Sequence, residues 1–402
     1  MASSTHNCLP LLFLLILLLL LLHPSLQQQE QPPSPKLSTT DLNTLLTIKT
    51  SLIDLPSSTF FSSWNFSSPD PCTTFAGLTC TLSPPSTLRV ATLELGHGLF
   101  GSLGLSGSLP DSITQLTELT QLILNPGLIT GPIPAQLGPL SKLRVLSLSH
   151  NRLTGPIPPS LALLTELHTL DLGFNRLTGQ IPPTLLTNLT QLRVLILANN
   201  RLTGGLPGST REAQLLHLDL KSNHLVGPIP PTLPLSIRYV SLSQNNLWGP
   251  ITNGPLDSLP QLEYLDLSQN QFSGSLPTSL LRPSLSTLLL NHNNFSGELP
   301  EGLAGATTIF LNNNRFSGPV PEVYMNGLED GTIKTLYLQH NFLDKFPTKN
   351  KHLGKGVSLP QEVEVCLSYN CMVPPSGLST CPTSASSQVS RPADQCPVFH
   401  NN

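Results

Sequence analysis

A repeated frame of leucines and one asparagine runs through most of the sequence. Its clearest copy, residues 143–158, reads LRVLSLSHNRLTGPIP, and three further copies read LHTLDLGFNRLTGQIP, LRVLILANNRLTGGLP and LEYLDLSQNQFSGSLP. The frame asparagine returns at intervals of 21 to 27 residues, at Asn151, Asn175, Asn200, Asn223, Asn245, Asn270, Asn293, Asn314 and Asn341. A tandem repeat of this period predicts a solenoid, because one unit cannot bury its own leucines and stacked units share a core.

Each copy of the frame predicts a short strand followed by a turn. Leu146 and Leu148 are two residues apart, so in an extended chain they point to one side and Ser147 points to the other. Stacked strands give a parallel sheet on the concave side of a curved superhelix, and the LTGPIP segment returns the chain along the outer side. We expect Asn151 to satisfy backbone groups at the turn, because unpaired buried N–H and C=O groups are costly.

The regions outside the repeats predict a leader and two caps. Residues 11–22 are uninterrupted apolar, which is short for a membrane span and typical of a secretory signal peptide; a signal anchor is the alternative. Residues 41–52 have apolar positions close to helical spacing, as a cap over the first repeat requires. We predict a signal peptide at 1–26, a Pro-rich linker at 27–40, an N-terminal cap at 41–87, about 12 leucine-rich repeat units over 88–372, and a C-terminal cap with a polar tail over 373–402.

Six of the seven cysteines lie at the two ends of the repeat array, and the seventh, Cys8, falls in the predicted signal peptide. An even number of cysteines in a secreted chain indicates disulfides. We predict them among Cys72, Cys80, Cys366, Cys371, Cys381 and Cys396. Cys72 and Cys80 form one predicted pair, and the other four allow three connectivities that the sequence leaves open. A zinc site is disfavoured because no C-x-x-C spacing is present.

Three N-x-S/T sequons accompany this secretory pattern. They predict glycosylation at Asn65, Asn188 and Asn294 if the chain enters the secretory pathway. We expect a glycan at Asn294 to lie off the strand face, because this residue follows the frame asparagine.

The cap and the repeat together resemble a known family. The segment SWNFSSPDPCTTFAGLTC, followed by repeats that end in LTGPIP, is similar to the extracellular leucine-rich repeat proteins of plants. These include ectodomains of receptor-like kinases, receptor-like proteins and polygalacturonase-inhibiting proteins, and the resemblance covers about residues 41–381. It implies an α/β solenoid of the plant type, with disulfide-stapled N- and C-terminal caps and a ligand-facing concave sheet. It also implies Cys72 and Cys80 as the cap pair. The chain differs from the receptor kinases because no transmembrane helix or kinase domain follows the cap.

Composition and spacing disfavour several classes of function. The formal net charge is -3, without a large block of one sign, which argues against nucleic acid as a partner. No histidine, serine or acidic residue has the spacing of a metal site or a nucleophile elbow. We therefore predict no catalytic residue, no metal and no cofactor.

Strand positions that point to solvent are the best candidates for binding, because the repeat frame does not dictate them. Tyr239 and Tyr264 occupy the same position in adjacent units, so their rings are expected to stack as an anchor. Apolar residues at one exposed position in three consecutive units mark a contact surface. The predicted partner-binding residues are His217, Asp219, Tyr239, Tyr264, Asp266, Leu289, Phe310 and Tyr337.

These features favour a secreted glycoprotein without enzymatic activity. We expect it to bind a protein or peptide at the plant cell surface or wall, in signalling or defence, with a receptor kinase ectodomain or a glycanase as possible partner. The expected location is the apoplast, the wall or the outer face of the plasma membrane. One alternative is an inhibitor of cell-wall glycanases, and another is a structural protein of the wall.

Overall fold

The computed structural model describes residues 35–56, 58–84, 86–96, 104–251, 256, 259–277, 284–347, 359–375, 381 and 389–397. The predicted signal peptide and most of the predicted polar tail lie outside these residues. Within them the chain forms one sheet of fourteen strands, three smaller sheets and short helices around one apolar core.

The fourteen-stranded sheet, called the long sheet below, takes one strand from each repeat unit. Its repeat strands are parallel and follow the order of the chain. They are Thr87–Leu95, Gln121–Leu124, Val145–Ser147, Thr169–Asp171, Val194–Ile196, His217–Asp219, Tyr239–Ser241, Tyr264–Asp266, Thr287–Leu289, Thr308–Phe310, Thr335–Tyr337 and Glu364–Cys366. Two cap strands, Lys36–Leu37 and Leu78–Ser83, both pair with Thr87–Leu95, the second of them antiparallel. The predicted parallel solenoid is confirmed.

The frame leucines fill the space behind the long sheet. Leu146 and Leu148 are each 1% exposed, so both sit in the shared core as the alternation predicts. In three consecutive units a buried phenylalanine replaces the leucine after the frame asparagine, with neighbouring ring centroids 6.2 and 6.4 Å apart; these are Phe272, Phe295 and Phe316. Their stacking makes this end of the core aromatic.

The frame asparagines tie each unit to the one before it. Asn151 Nδ2 donates to the carbonyls of Leu124 (2.8 Å) and Leu148 (3.2 Å), and its Oδ1 accepts from the backbone N–H of Ile129 (3.0 Å). The same contacts recur along the array, for example at Asn245. The expected role of the asparagine at the turn is thus confirmed, with the addition that Asn151 bonds to two groups of the preceding unit as well as to two carbonyls of its own unit.

The residue before each of these asparagines has a left-handed backbone. Its φ lies between 52° and 59° in ten consecutive units, although none of the ten residues is glycine. They are His150, Phe174, Asn199, Ser222, Gln244, Gln269, His292, Asn313, His340 and Tyr369. This conformation is uncommon outside glycine, and here the bonds of the following asparagine hold it in every turn.

Shorter strands cover the outer side of each unit. One small sheet contains Leu52–Asp54, Leu105–Ser108 and Leu128–Thr130, and a second contains Thr154–Pro156, Arg176–Gln180 and Arg201–Thr203. The third contains Val226–Gly227, Asn246–Gly249, Gln271–Gly274, Asn294–Gly297, Arg315–Pro319 and Phe342–Lys345. The glycine of the LTG element has positive φ, as at Gly155 with φ 78°, which favours glycine at this step of the return path.

Helical segments are short in the part of the chain described here. The α-helices are Thr39–Ser51, Pro71–Thr74, Leu185–Asn188 and Glu322–Glu329. The 3₁₀ segments are Phe60–Ser63, Asp111–Gln115, Pro159–Leu163, Glu301–Gly305 and Ala393–Gln395. Every segment except Thr39–Ser51 has eight residues or fewer. The segments that belong to the repeats lie on the return path between strands.

The N-terminal cap begins earlier than the sequence predicts. Lys36–Leu37 already pairs with the first repeat strand, and the cap helix starts at Thr39. The predicted linker, residues 27–40, therefore overlaps the folded cap from residue 36 onward. The helix is held by a buried carboxylate, Asp41, which accepts two hydrogen bonds from Arg89 Nε (3.0 Å each) and one from Val90 N (2.8 Å).

The structure pairs all six cysteines that it describes. Cys72 is bonded to Cys80, Cys366 to Cys381, and Cys371 to Cys396. This selects one of the three connectivities left open at the C-terminal end. Residues 389–397 lie against the last unit, where Arg391 stacks on Phe342 and Tyr369 with its guanidinium carbon 4.3 and 4.6 Å from the ring centroids.

Candidate binding surface on the long sheet

Three rings from adjacent units stack on the solvent side of the long sheet. The parallel register places Tyr239 directly between His217 and Tyr264. The ring centroids are 4.0 Å apart for His217 and Tyr239, and 4.3 Å apart for Tyr239 and Tyr264, with planes within 8° of parallel. We call these three residues the ring ladder. It forms because the strand spacing of about 4.8 Å brings equivalent side chains to stacking distance.

Burial changes the titration of the ring ladder. It lowers the pKa of His217 below the ordinary imidazole value, although the Asp219 charge acts in the opposite direction. It also raises the pKa of Tyr239, with the Asp219 charge as the next contribution. The ladder is therefore uncharged near neutral pH, with a mainly apolar and π-electron surface.

Two carboxylates lie beside the ring ladder, two positions further along the same strands. Asp219 and Asp266 flank Ser241 in register, and they are 9% and 8% exposed. Asp219 Oδ1 accepts from Lys221 N at 3.1 Å, and Asp266 Oδ1 accepts from Ser268 N (3.0 Å) and Ser268 Oγ (2.7 Å). Burial raises the pKa of the Asp219 carboxyl, because desolvation disfavours its charged form. The Lys221 N–H bond and the charges of Lys221 and His217 act in the opposite direction, and the Asp266 charge adds slightly to the rise.

A second aromatic pair follows toward the C-terminal end. Leu289 pairs in register with Asp266 on one side and Phe310 on the other, and the rings of Phe310 and Tyr337 stack at 4.5 Å. The Tyr337 hydroxyl donates to Glu364 Oε2 at 2.6 Å. Burial and this carboxylate raise the pKa of Tyr337 to about 12. The two clusters of predicted residues are thus continuous on one face of the sheet.

Beside this second pair, two buried amides have an unpaired oxygen. Asn312 and Gln339 are 8% and 6% exposed, and neither Asn312 Oδ1 nor Gln339 Oε1 has a hydrogen-bond partner among the described residues. They occupy equivalent positions in neighbouring units, two residues after Phe310 and Tyr337. The sequence analysis did not include Asn312 and Gln339 among the candidates, although both positions follow from the alternation along the strand.

A cleft of about 470 Å³ lies before the start of the strands that carry the ring ladder, and Leu216, which precedes His217, is part of its wall. Its walls include two basic side chains, Arg193 and Arg211, together with Leu216 and Leu235. Both leucines are 37% exposed, so the cleft has apolar area beside its charged groups, which also include Glu212. No sequence pattern predicts this cleft, because the return path between residues 204 and 214 has no helix or strand.

All eight predicted partner-binding residues lie on the solvent side of the long sheet, and five of them converge in the ring ladder and its two carboxylates. They are less exposed than predicted: the rings and Leu289 are half-buried, because neighbours at the same position cover them. Their role in binding stays a prediction. The sequon residues Asn65, Asn188 and Asn294 are exposed, and Asn294 begins an outer strand away from this surface.

Family models match both the cap and the repeats. A leucine-rich repeat N-terminal domain matches residues 38–81, and leucine-rich repeat models match residues 141–185, 165–225, 261–282 and 284–306. No curated protein sequence is significantly similar to the chain. Among the residues that the structure describes, no helix is both long enough and apolar enough to cross a membrane.

The fold is shared with the solved structures of a plant ice-binding protein and of two receptors. A plant ice-binding protein is 28% identical over 78% of this chain and 96% of its own, with a TM-score of 0.59. PEPR1, solved with AtPEP1, is 27% identical over 88% of this chain and 58% of its own, with a TM-score of 0.57. A TDR receptor is 30% identical over 66% of this chain and 50% of its own, with a TM-score of 0.54. This chain thus spans about half the length of the two receptor chains.

The cap, the repeat and the fold agree with one another. The N-terminal cysteine pair lies in the segment matched by the cap model, and the parallel solenoid is shared with the plant structures. The chain belongs to the plant-type leucine-rich repeat proteins and is similar to the ectodomains of plant receptors.

Proposed function

We propose that this protein is a secreted, glycosylated binding protein without catalytic activity. It recognises a protein or peptide partner at the plant cell surface or wall, in signalling or defence, through the solvent side of its long sheet. The observation that carries this proposal is the ring ladder. Three half-buried rings stack in consecutive units at a position where the repeat frame requires no particular residue.

The chemistry of this surface supports protein or peptide recognition. Aromatic side chains provide large contact area at a small loss of conformational entropy, and tyrosines are enriched among the residues that dominate binding energy. The similarity to PEPR1, solved with AtPEP1, gives independent support for binding by this fold. Three disulfides at the two ends are typical of chains that fold in the secretory pathway.

Affinity capture with matched variants tests the proposal. The full mature chain, wild type or Y239A/Y264A, is used to capture proteins and peptides from plant extracellular and membrane fractions, and affinities of the recovered partners are measured by calorimetry. Loss of two central rings should weaken binding at least tenfold, since such residues typically contribute about 2 kcal/mol or more.

The control is V145A/T169A, which truncates the same strand position in two earlier units and leaves Val194, the register neighbour of His217, in place. It should bind as the wild type does. A partner that binds Y239A/Y264A with unchanged affinity would contradict the placement of the site, and recovery of no partner by any form would contradict the function.

Ice binding is a second candidate, because the plant ice-binding protein matches this chain along 96% of its own length. The outer side of the solenoid carries exposed hydroxyls at regular repeat spacing, at Thr130, Thr154, Thr178 and Thr203. An assay of ice recrystallisation with the purified chain decides between the two. Inhibition that is lost in T154V/T178V but kept in Y239A/Y264A would assign ice binding to the outer side.

A further inference from the structure

One position on the outer side of the solenoid changes character in the middle of the array. It is the residue before the glycine of the LTG element, and it is exposed or half-buried in every unit of this series. The side chain is a hydroxyl in most units, but two adjacent units carry an apolar residue instead. In chain order the series is Thr130, Thr154, Thr178, Thr203, Val226, Trp248, Ser273, Ser296 and Ser317.

The two tryptophans of the chain lie in opposite surroundings. Trp64 is 1% exposed and packs in the N-terminal cap between Phe61 and Phe75, with ring centroids 4.9 and 5.0 Å away. Trp248 is 52% exposed and has no aromatic neighbour among the described residues, and Val226 in the preceding unit is 44% exposed. Large apolar side chains that adjoin one another at a surface indicate a contact that covers them.

A sequon asparagine lies on the same sheet, two strands away from this apolar patch. The register pairs Trp248 with Gln271, and Ser273 with Asn294 at the start of the strand Asn294–Gly297. With strands about 4.8 Å apart and a rise of about 3.3 Å per residue, the α-carbons of Trp248 and Asn294 are about 12 Å apart. Both side chains are exposed, so both lie on the solvent side of this sheet.

The three sequon asparagines differ in how the fold holds their side chains. Asn65 Oδ1 accepts a hydrogen bond from Ser67 N (3.0 Å), and Asn188 Oδ1 accepts one from Thr187 Oγ1 (3.1 Å). The Asn294 side chain forms no hydrogen bond with a described residue. A glycan on its amide nitrogen is therefore free to turn along the sheet, and the innermost sugars of an N-glycan span the distance to the patch.

We propose that the N-glycan on Asn294 folds back over the outer sheet and packs its innermost sugars on the indole ring of Trp248. This inference rests on the secreted, glycosylated state in the proposed function, which it makes more specific. A pyranose ring has a face of C–H groups, which packs on the electron-rich face of an indole. Gln271 and Ser273 lie along the path and offer an amide and a hydroxyl to the sugar hydroxyls.

Tryptophan fluorescence tests the contact, because the chain has two tryptophans and Trp64 is buried. The full chain is secreted from plant cells, and mass spectrometry of its peptides determines which sequons carry a glycan. Acrylamide quenching then measures the access of solvent to Trp248, with W248L as the baseline from Trp64 alone. We expect weak quenching of the glycosylated protein and a quenching constant at least threefold higher after an amidase removes the glycans from the folded chain.

Matched variants assign the effect to one glycan. N294Q and S296A both destroy the sequon, and S296A keeps the asparagine, so both should be quenched as the deglycosylated protein is. N188Q removes a glycan from the return path and should behave as the wild type does. In NMR spectra of carbon-13-labelled glycans, ring current should shift core sugar protons upfield in the wild type, and this shift should be absent in W248L. Circular dichroism verifies that each variant is folded.

Three results would overturn the inference: an Asn294 that carries no glycan, equal quenching of the wild type and N294Q, or sugar protons with the same shifts in the wild type and W248L. These outcomes are separable from those of the proposed function. If the sequons are glycosylated and a partner is captured while Trp248 stays open to acrylamide, the proposed function stands and the glycan contact fails. If the glycan covers Trp248 and no partner is captured, the contact stands and the binding function fails.

Discussion

Asp41 in the N-terminal cap and Asp219 on the long sheet are both buried carboxylates in very different surroundings. Asp41 is fully buried, and its two oxygens accept three hydrogen bonds, two of them from the guanidinium of Arg89. Asp219 is 9% exposed, accepts one backbone hydrogen bond and forms no ion pair with a described residue. The first carboxylate is saturated by the protein itself, and the second is left open.

This difference separates a charge that stabilises the fold from one that is left largely unpaired on the sheet surface. A buried ion pair becomes tolerable when geometry and additional hydrogen bonds offset the loss of water, which is the situation of Asp41. Asp41 thereby joins the cap helix to Arg89 and Val90 in the first repeat strand. A carboxylate that accepts one backbone hydrogen bond and forms no ion pair with a described residue adds nothing comparable to stability.

The largest effect is expected at Asp41. Replacing it by asparagine leaves the Arg89 guanidinium, whose side chain is only 19% exposed, without its counter-charge. We expect D41N to lower the free energy of unfolding by about 3 kcal/mol, since removing one partner of a buried pair is strongly destabilising. Urea denaturation followed by circular dichroism measures the loss.

The matched control for D41N is E118Q, which breaks the more exposed pair with Lys142. It should change the free energy of unfolding by about 0.5 kcal/mol or less, because exposed pairs contribute little. Equal losses in D41N and E118Q would show that burial does not distinguish the two ion pairs. The description of Asp41 as a stabilising buried charge would then be wrong.

A smaller effect is expected at Asp171, whose hydrogen bonding is intermediate between that of Asp41 and that of Asp219. D171A leaves Gly173 N and Ser147 Oγ without their acceptor, and we expect a loss of about 1 kcal/mol in the free energy of unfolding. Ligand binding should not change, because this aspartate has no open oxygen and no ring beside it. A weakened affinity for a captured partner would extend the binding surface toward earlier units.

At Asp219 we expect a substitution to raise the free energy of unfolding rather than lower it. Burial raises its folded-state pKa above the unfolded value, so its contribution to stability is fully present below the ordinary carboxyl pKa and is lost as pH rises through the folded value. D219N has no such loss. It should match the wild type at acidic pH and become relatively more stable as the pH rises toward 7. A constant difference across this range in urea denaturation would contradict the prediction.

The repeat frame explains why the fold was predictable from the sequence. Leucine alternation and a recurrent asparagine determine strand, turn and stacking in every unit, so residues such as Leu146 and Asn151 occupy their predicted places. The same alternation put the eight candidate residues on one face. Local rules do not show how far neighbouring units cover a side chain, and therefore the burial of Asp219 and Asp266 became visible only in the structure.

The cap was less predictable, because it does not follow the repeat. Asp41 has the sequence signature of an exposed residue in the first helical turn, and its burial depends on Arg89, which is 48 positions away. The strand Lys36–Leu37 is only two residues long, and its pairing with Thr87–Leu95 is a tertiary contact that no local pattern indicates. The C-terminal disulfide connectivity was open for the same reason.

The smallest effect is expected at Tyr337, whose hydroxyl is already bonded to Glu364 at 2.6 Å. Y337F removes this bond near solvent and should cost about 0.5 kcal/mol at neutral pH. Because the folded-state pKa of Tyr337 is raised to about 12, the wild type should lose stability relative to Y337F as the pH rises from 10 to 12. Partner affinity should remain within twofold, since the ring is retained and its hydroxyl is committed to the protein. A larger loss of affinity would show that the Tyr337 hydroxyl contributes to binding despite its bond to Glu364.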